Sequence, residues 1–413
     1  MSINITNLIN QIQTKILDSD VSGLDRQKIN RLGLLVQGHG GVLEYQFRGD
    51  LPTVDSSYIG RIAYVRDVRG YDDGGNFGSF YVGSNDSDGW SLLATTADSD
   101  ELANMYKANA VPVEIIPFVY QGELYGYSTG GQPNRQQIDK FSFVSDGNST
   151  NHGNLTTRTW RAAGGVVSRD HGYIPGGRQY GPAVPAQIST IQKFAFAVDD
   201  INTDAGDLPI AIEALSGHSS GEDGYTGGGL TGSYVNKIYK FPFAATITST
   251  EHGTLTVASG YMSGASSTTD GYSSGGPYSP TSPGRQIDKF SFASGGAATD
   301  QGDITYQPRW KIAGQSSETH GYNAGGHWPN IGFSTIIEKF PFASTANATD
   351  VGDLVLGRSG ASGQSSTVNG YASAGETPAN TATINKFSFA SDGNATLVGY
   401  LSTSYFDTAG QHN

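Results

Sequence analysis

Cysteine is absent from all 413 residues, which removes disulfides, thiolate metal sites and cysteine nucleophiles at one stroke. Stability must then come from packing. Basic residues are scarce, with 25 Lys and Arg against 38 Asp and Glu, for a net charge of −13. That balance argues against nucleic acid as a partner, because such binders need a basic patch to displace counterions. No apolar run approaches a membrane span, and the first ten residues lack a secretory-signal pattern, so membrane insertion is not expected. What fills the chain instead is Gly, 57 residues of it, with Ser, Thr, Asn and Asp crowded between short apolar runs. This is the composition of short strands joined by tight turns.

The apolar runs repeat. Gly-Tyr recurs at 126, 172, 224, 271, 321 and 370, and Lys-Phe-x-Phe follows at 140, 193, 240, 289, 339 and 386. Ten residues after each second Phe comes Gly-x-Leu/Ile or its equivalent, at Gly153, Gly206, Gly253, Gly302, Gly352 and Gly399. A further Gly precedes the next Gly-Tyr by seven, at 165, 217, 264, 314 and 363. Periods of this length, with strand-like runs between glycine turns, predict a β-propeller with one repeat per blade. Ile-x-Lys-Phe-x-Phe carries large residues on both faces, as a sheet packed between two others requires. The repeated Lys then has a structural duty, its stem packed on a neighbour and its ammonium at water or an oxygen. The chain ends on Ala409-Gly410-Gln411, matching Ala313-Gly314-Gln315, just short of another Gly-Tyr. Its last strand is therefore expected to complete the first unit, giving six blades over 119–413.

These residues resemble the kelch family of propellers. Tyr-x-x-Gly-Gly at Tyr127, Tyr173, Tyr272 and Tyr322, with Arg158, Arg309 and Arg358 after Gly-x-Leu/Ile, follows that layout. The usual Trp is missing, and the sixth unit reads Ala374-Gly375. The resemblance implies the fold and no particular activity.

Before the repeats, residues 1–40 read as a helical assembly segment, with Ile5, Leu8, Ile12 and Ile16 forming an apolar stripe. A helix so short is marginal alone, so the stripe is expected to meet other copies or another protein. Residues 41–95 read as a small β module, with strands around Ile59–Val65, Phe77–Val82 and Trp90–Leu93, and 96–118 as a linker. Gly60-Arg61-Ile62-Ala63-Tyr64-Val65 and Asp88-Gly89-Trp90-Ser91-Leu92-Leu93, after a helix of this type, resemble modules of phage tail-fibre and other virion proteins. That resemblance implies a structural protein of a tailed, marine-type phage, located in the virion and binding other virion proteins through its N-terminal segment. Arg48-Gly49-Asp50 is read as a chance match to an adhesion motif.

Chemistry is sparse. Asp204-x-Gly206-Asp207, Asp300-x-Gly302-Asp303 and Asp350-x-Gly352-Asp353 suggest calcium, but other units carry Asn151 or Glu251 there, so Asx-turns are expected and no metal. The eight His lack metal spacing, and no nucleophile elbow, phosphate loop or recurring carboxylate pair is present. A protein that is not an enzyme and holds no cofactor is expected. One segment varies between units: from Gly-Gly to the Ile of Ile-x-Lys-Phe it runs 6, 13, 8, 10, 10 and 8 residues. Equivalent loops of a propeller share a face, and these carry Arg135, Arg178, Tyr180, Tyr234, Tyr278, Arg285, His327, Trp328 and Phe333 as candidate ligand-binding residues. The expected function is host-surface or glycan attachment by a displayed propeller in a homo-oligomer. The alternatives are an architectural tail or capsid-decoration component, a cellular kelch-like interaction protein, or a glycan-active enzyme, which an acidic pair on the variable face would favour.

Overall fold

The computed structural model describes the backbone of four strands between Leu43 and Thr95, and residues 120–413 apart from 134, 163, 180–185, 200–201, 244–246 and 278–283. The helical stripe of Ile5, Leu8, Ile12 and Ile16, the Arg48-Gly49-Asp50 triplet and the linker 96–118 lie outside the described residues, as do Tyr180 and Tyr278. Everything described is all-β, with no helix. The chain divides into two compact units, Met1–Ile115 and Ile116–Asn413.

In the first unit, Leu43–Phe47, Ile62–Asp67, Ser79–Gly83 and Trp90–Thr95 form one sheet in sequence order. The first pair is parallel and the others antiparallel. Three of these strands answer to the expected module, displaced by up to three residues at their ends. Leu43–Phe47 is an addition: its Leu-Glu-Tyr-Gln-Phe alternation was legible but unassigned.

Among its described residues, the second unit has six principal sheets, each with four main antiparallel strands, beside a three-stranded and a two-stranded sheet. Sheet 1 runs Val166–Val167, His171–Pro175, Thr190–Ala195, Asn202–Asp207, and sheet 2 runs Ser216–Ser219, Asp223–Gly227, Lys237–Pro242, Thr250–Thr254. Sheet 3 is Ser263–Ser266, Asp270–Ser274, Gln286–Ser291, Thr299–Asp303, and sheet 4 is Ala313–Ser316, His320–Ala324, Ile336–Pro341, Thr349–Asp353. Sheet 5 is Ser362–Ser365, Asn369–Ser373, Thr383–Ser388, Thr396–Tyr400. Sheet 6 takes its first strand, Ala409–His412, from the end of the chain and pairs it with Tyr125–Thr129, then Gln137–Ser142 and Thr150–Asn154.

The repeated residues hold each sheet to the next. Gly of every Gly-Tyr lies directly opposite the first Phe of its own sheet, as Gly126 opposite Phe141 and Gly271 opposite Phe290. A Cβ there would strike the ring, so only Gly lets the aromatic lie across the neighbouring strand. The following Tyr reaches into the next sheet and stacks on its second Phe. Tyr127 on Phe196, Tyr173 on Phe243, Tyr225 on Phe292, Tyr272 on Phe342 and Tyr322 on Phe389 have centroids 4.7–5.0 Å apart. Tyr371 on Phe143 completes the circuit at 4.6 Å. Each such pair contributes roughly 0.5–1.5 kcal/mol beyond the area it buries.

First strands pack just as tightly. A Cβ on Gly264, Gly314, Gly363 or Gly410 would collide with a glycine carbonyl of the preceding first strand, one on Gly217 with that of Gly164 just before sheet 1, and Gly165 N–H donates to Gly410 O at 2.6 Å. The isolated Gly of the repeat is therefore the point where neighbouring backbones touch. At the sheets' outer edges, Gly of Gly-x-Leu/Ile meets the third-to-fourth-strand turn of the next sheet, as Gly302 meets Ala346 and Gly352 meets Gly393. That contact blunts an open edge and explains why the Phe-to-Gly spacing stays at ten. The acids beside these glycines form Asx-turns: Asp204, Asp300 and Asp350 each accept the N–H two residues on, at 2.9–3.2 Å. Most of the repeated lysines end on carboxylates, such as Lys339 on Asp392 and Lys386 on Asp146 of the next sheet.

The residue between Ile and Lys is buried in every sheet and pins the turn arriving from the previous one. Asp139 accepts from Tyr405, Gln192 bonds Thr159, Glu338 pairs with Arg309 at 2.5 Å, and Asn385 accepts from Arg358 at 3.2 Å. In sheet 2 the same places hold Tyr239 and Ile212, both in one apolar cluster. In sheet 3 they hold Asp288 and Ser259, so Asp288 has Thr256 as donor but no cation where Glu338 has Arg309. Burial pushes the Asp288 carboxyl up to about 6, against the two Thr256 hydrogen bonds. A carboxyl raised in the folded state stabilises fully at low pH and loses that contribution as pH rises through about 6. Asp288→Asn should accordingly raise stability by about 1–2 kcal/mol at pH 7.5, allowing for one lost acceptor, and by nearly nothing at pH 5. Denaturant titrations at the two pH values read this directly; an equal effect at both would refute it.

Candidate functional site

Three residues before the glycine of each first strand stand Ala214, Tyr261, Lys311, Gly360 and Asp407, with Arg161 in the corresponding turn before sheet 1. All six have left-handed φ, from 54° at Asp407 to 61° at Gly360, although only one is glycine. Five side-chain-bearing residues in that region are a strained arrangement that the surroundings must impose. What imposes it is a closed circuit of backbone hydrogen bonds. Ala214 N–H donates to Arg161 O, Tyr261 to Ala214, Lys311 to Tyr261, Gly360 to Lys311, Asp407 to Gly360 and Arg161 to Asp407, all at 2.7–3.0 Å. These residues form the mouth of a well running between the six first strands, with a cavity of about 90 Å³.

Tyr120 and Gln121 occupy the well's other end. Tyr120 Oη donates to Gly165 O at 3.0 Å, Gln121 Nε2 to Ser316 O at 3.0 Å, and Gly122 N–H to Ser365 O at 2.9 Å. Burial pushes the Tyr120 phenol well up, so it stays a neutral donor. The well is thus blind, and it is too small for a ligand of ordinary size, which needs 300 Å³ or more. Anything recognised here must rest on the mouth and the loops around it.

The mouth's charges are paired. Asp407 bridges Arg161 Nε and Lys311 Nζ at 2.9 Å each. The fully buried Glu213 lies 2.9 Å from Arg178 and 3.7 Å from Arg161, and Glu376 lies 3.8 Å from Lys311. Burial by itself lowers the Arg161 pKa, but Asp407, Tyr261 and Glu213 together outweigh it and the net shift is upward. The cations also lie on rings: Arg161 4.3 Å from Trp160 and 5.2 Å from Tyr261, Lys311 5.3 Å from Phe406. Burial pushes the Tyr261 hydroxyl up to about 12, opposed by Arg161.

The variable loops leave from around this mouth. In five of the six, the first residue pairs with the residue just before the mouth position: Gln132 with Phe406, Arg178 with Trp160, Leu230 with Glu213, His327 with Trp310, Glu376 with Ser359. The expectation of one shared face for these loops agrees with that placement. The candidate residues themselves fare differently. Arg135 is a structural cation, with its guanidinium 4.1 Å from the Tyr405 ring and bonded to Asp139, Ser402 and Thr403. Arg178 and Tyr234 belong to the mouth's surround, Arg178 through Glu213 and Tyr234 by packing on Gly260. Arg285 lies at the periphery, donating to Ile304 O and 3.8 Å from Asp303. His327, Trp328 and Phe333 share a two-stranded hairpin, His327–Trp328 with Gly332–Phe333, its His ring 4.8 Å from Trp310 and 5.5 Å from Phe333.

Sequence reasoning missed Arg161, Tyr261, Lys311 and Asp407. Their common signal was position, three before a repeated Gly, but six unlike residues there form no motif. Among the described residues no cluster of His, Cys, Asp or Glu is arranged to hold a metal ion. No protein-family model and no curated protein matches the chain.

Proposed function

We propose that residues 119–413 form a six-bladed, kelch-like β-propeller in a structural protein of a tailed-phage particle, whose loop face attaches to a host-surface glycan or receptor. The observation that carries this reading is the convergence of the loops on one mouth, at the end of the well opposite Tyr120. A rigid ring entered by its chain from one side leaves the opposite side free to vary, and recognition residues concentrate on such loops. The closed circuits of hydrogen bonds and Tyr–Phe pairs support the propeller reading. The phage assignment rests on the likeness of the first 95 residues to tail-fibre modules, and attachment to virion partners is assigned to the stripe of Ile5, Leu8, Ile12 and Ile16.

Trp328→Ala tests attachment. The variant should fold, with adsorption to host cells or retention on a glycan array reduced about tenfold or more. Undiminished adsorption, with the protein found in purified virions but its loop face covered by another virion protein, would overturn attachment and leave the architectural role. That second reading draws on exposed apolar side chains: Ile331, two residues from Phe333, and Val355 are 62 % and 56 % exposed.

A further inference from the structure

Below the glycines a further run of hydrogen bonds joins the first strands. Val167 N–H donates to Ser219 Oγ, Ser219 to Ser266, Ser266 to Ser316 and Ser316 to Ser365, at 2.8–3.1 Å. The next link differs in kind: Ser365 N–H reaches His412 Nδ1 at 3.4 Å, and His412 Nε2 contacts Tyr120 O at 2.6 Å. Since Tyr120 O only accepts, Nε2 carries the proton and Nδ1 must be bare to accept from Ser365. The single imidazole among these links sits where the closing strand Ala409–His412, the strand Tyr125–Thr129 and the segment Tyr120–Gly122 meet.

We propose that His412 is an acid-sensitive latch: protonating Nδ1 sets a donor against the Ser365 N–H, and the junction of Tyr120–Tyr125 with Ala409–Asn413 opens ahead of the rest of the ring. A serine at this place, as at Ser219, Ser266, Ser316 and Ser365, does not titrate in this range. Around the imidazole the preceding segment brings Tyr120, its ring edge-on at 4.8 Å, and Glu123 farther along. Tyr125–Thr129 brings Tyr125 and Tyr127, His171–Pro175, which packs on the closing strand, brings His171 and Tyr173, and Ser362–Ser365 brings no titratable group. Burial lowers the His412 pKa to about 4, with the Tyr120 carbonyl opposing. A base depressed from 6.5 contributes its stability above that value and loses it as pH falls through 6.5 towards 4.

Hydrogen exchange on the full chain, corrected for intrinsic rates, tests this. Amides of 120–126 and 409–413 should open about 70-fold more at pH 4.5 than at pH 7.5, the ratio that values of 6.5 open and about 4 closed require. In His412→Gln, whose amide both accepts and donates, and in His412→Ser, which restores the serine link, that acid response should vanish. His218→Gln should keep it, although His218 is also fully buried with its pKa lowered to about 4. An acid response absent in the parent, spread evenly over all six sheets, or retained in whichever His412 variant folds would overturn the latch.

Discussion

Deleting residues 409–413 should abolish cooperative folding of the second unit, or lower its Tm by more than 15 °C. The deletion removes the first strand of sheet 6, and with it the Gly410 contacts, the Ser365–His412–Tyr120 links and Asn413's bonds to Leu124 and Tyr125. It also leaves Tyr125–Thr129 as an open edge with unpaired backbone groups, a template for aggregation. Strand loss at one sheet is felt by its neighbours, because the Tyr of each sheet stacks on a Phe of the next. Differential scanning calorimetry of the truncated chain reads the effect; a single transition within about 3 °C of the parent would show that the circuit does not depend on its closing strand.

The second large effect is expected at the buried ion pair of sheet 4. Arg309 and Glu338 are both fully buried, and Glu338 also accepts from Thr305 and Asn323. Arg309→Met leaves a buried carboxylate without its cation and should cost about 3–5 kcal/mol. The protein contains its own control, since sheet 2 holds Ile212 and Tyr239 in the corresponding places. The double change Arg309→Ile, Glu338→Tyr should therefore recover most of the loss. Urea denaturation of the two variants decides the matter: a double variant no better than the single one would show that the pins are not interchangeable between sheets.

The repeats were legible because three glycine duties recur at fixed spacing: room for a Phe ring, contact between first strands, and docking of an outer edge. Lys-Phe-x-Phe was legible as a strand buried on both faces, but not as half of a clasp whose Tyr lies one unit earlier in the ring. Periodicity describes a unit and is silent on which unit its side chains enter. The mouth was hidden for a different reason. There the backbone is constant and the side chains are not, so Arg161, Tyr261, Lys311 and Asp407 share a conformation without sharing chemistry. Arg135 shows the converse: an Arg on a variable loop looks like a recognition residue until Asp139 and Tyr405 are seen to hold it.

The plug at Tyr120–Gly122 has a mechanical consequence. Tension applied to the chain at this point enters along the axis and is divided at once among sheets 1, 4, 5 and 6, through Gly165, Ser316, Ser365 and His412. A pull on an ordinary edge strand unzips its ladder one hydrogen bond at a time, whereas a load here must shear contacts to several sheets together. A body gripped by its loops and hauled from Tyr120 is held at its hub, where force spreads rather than peels.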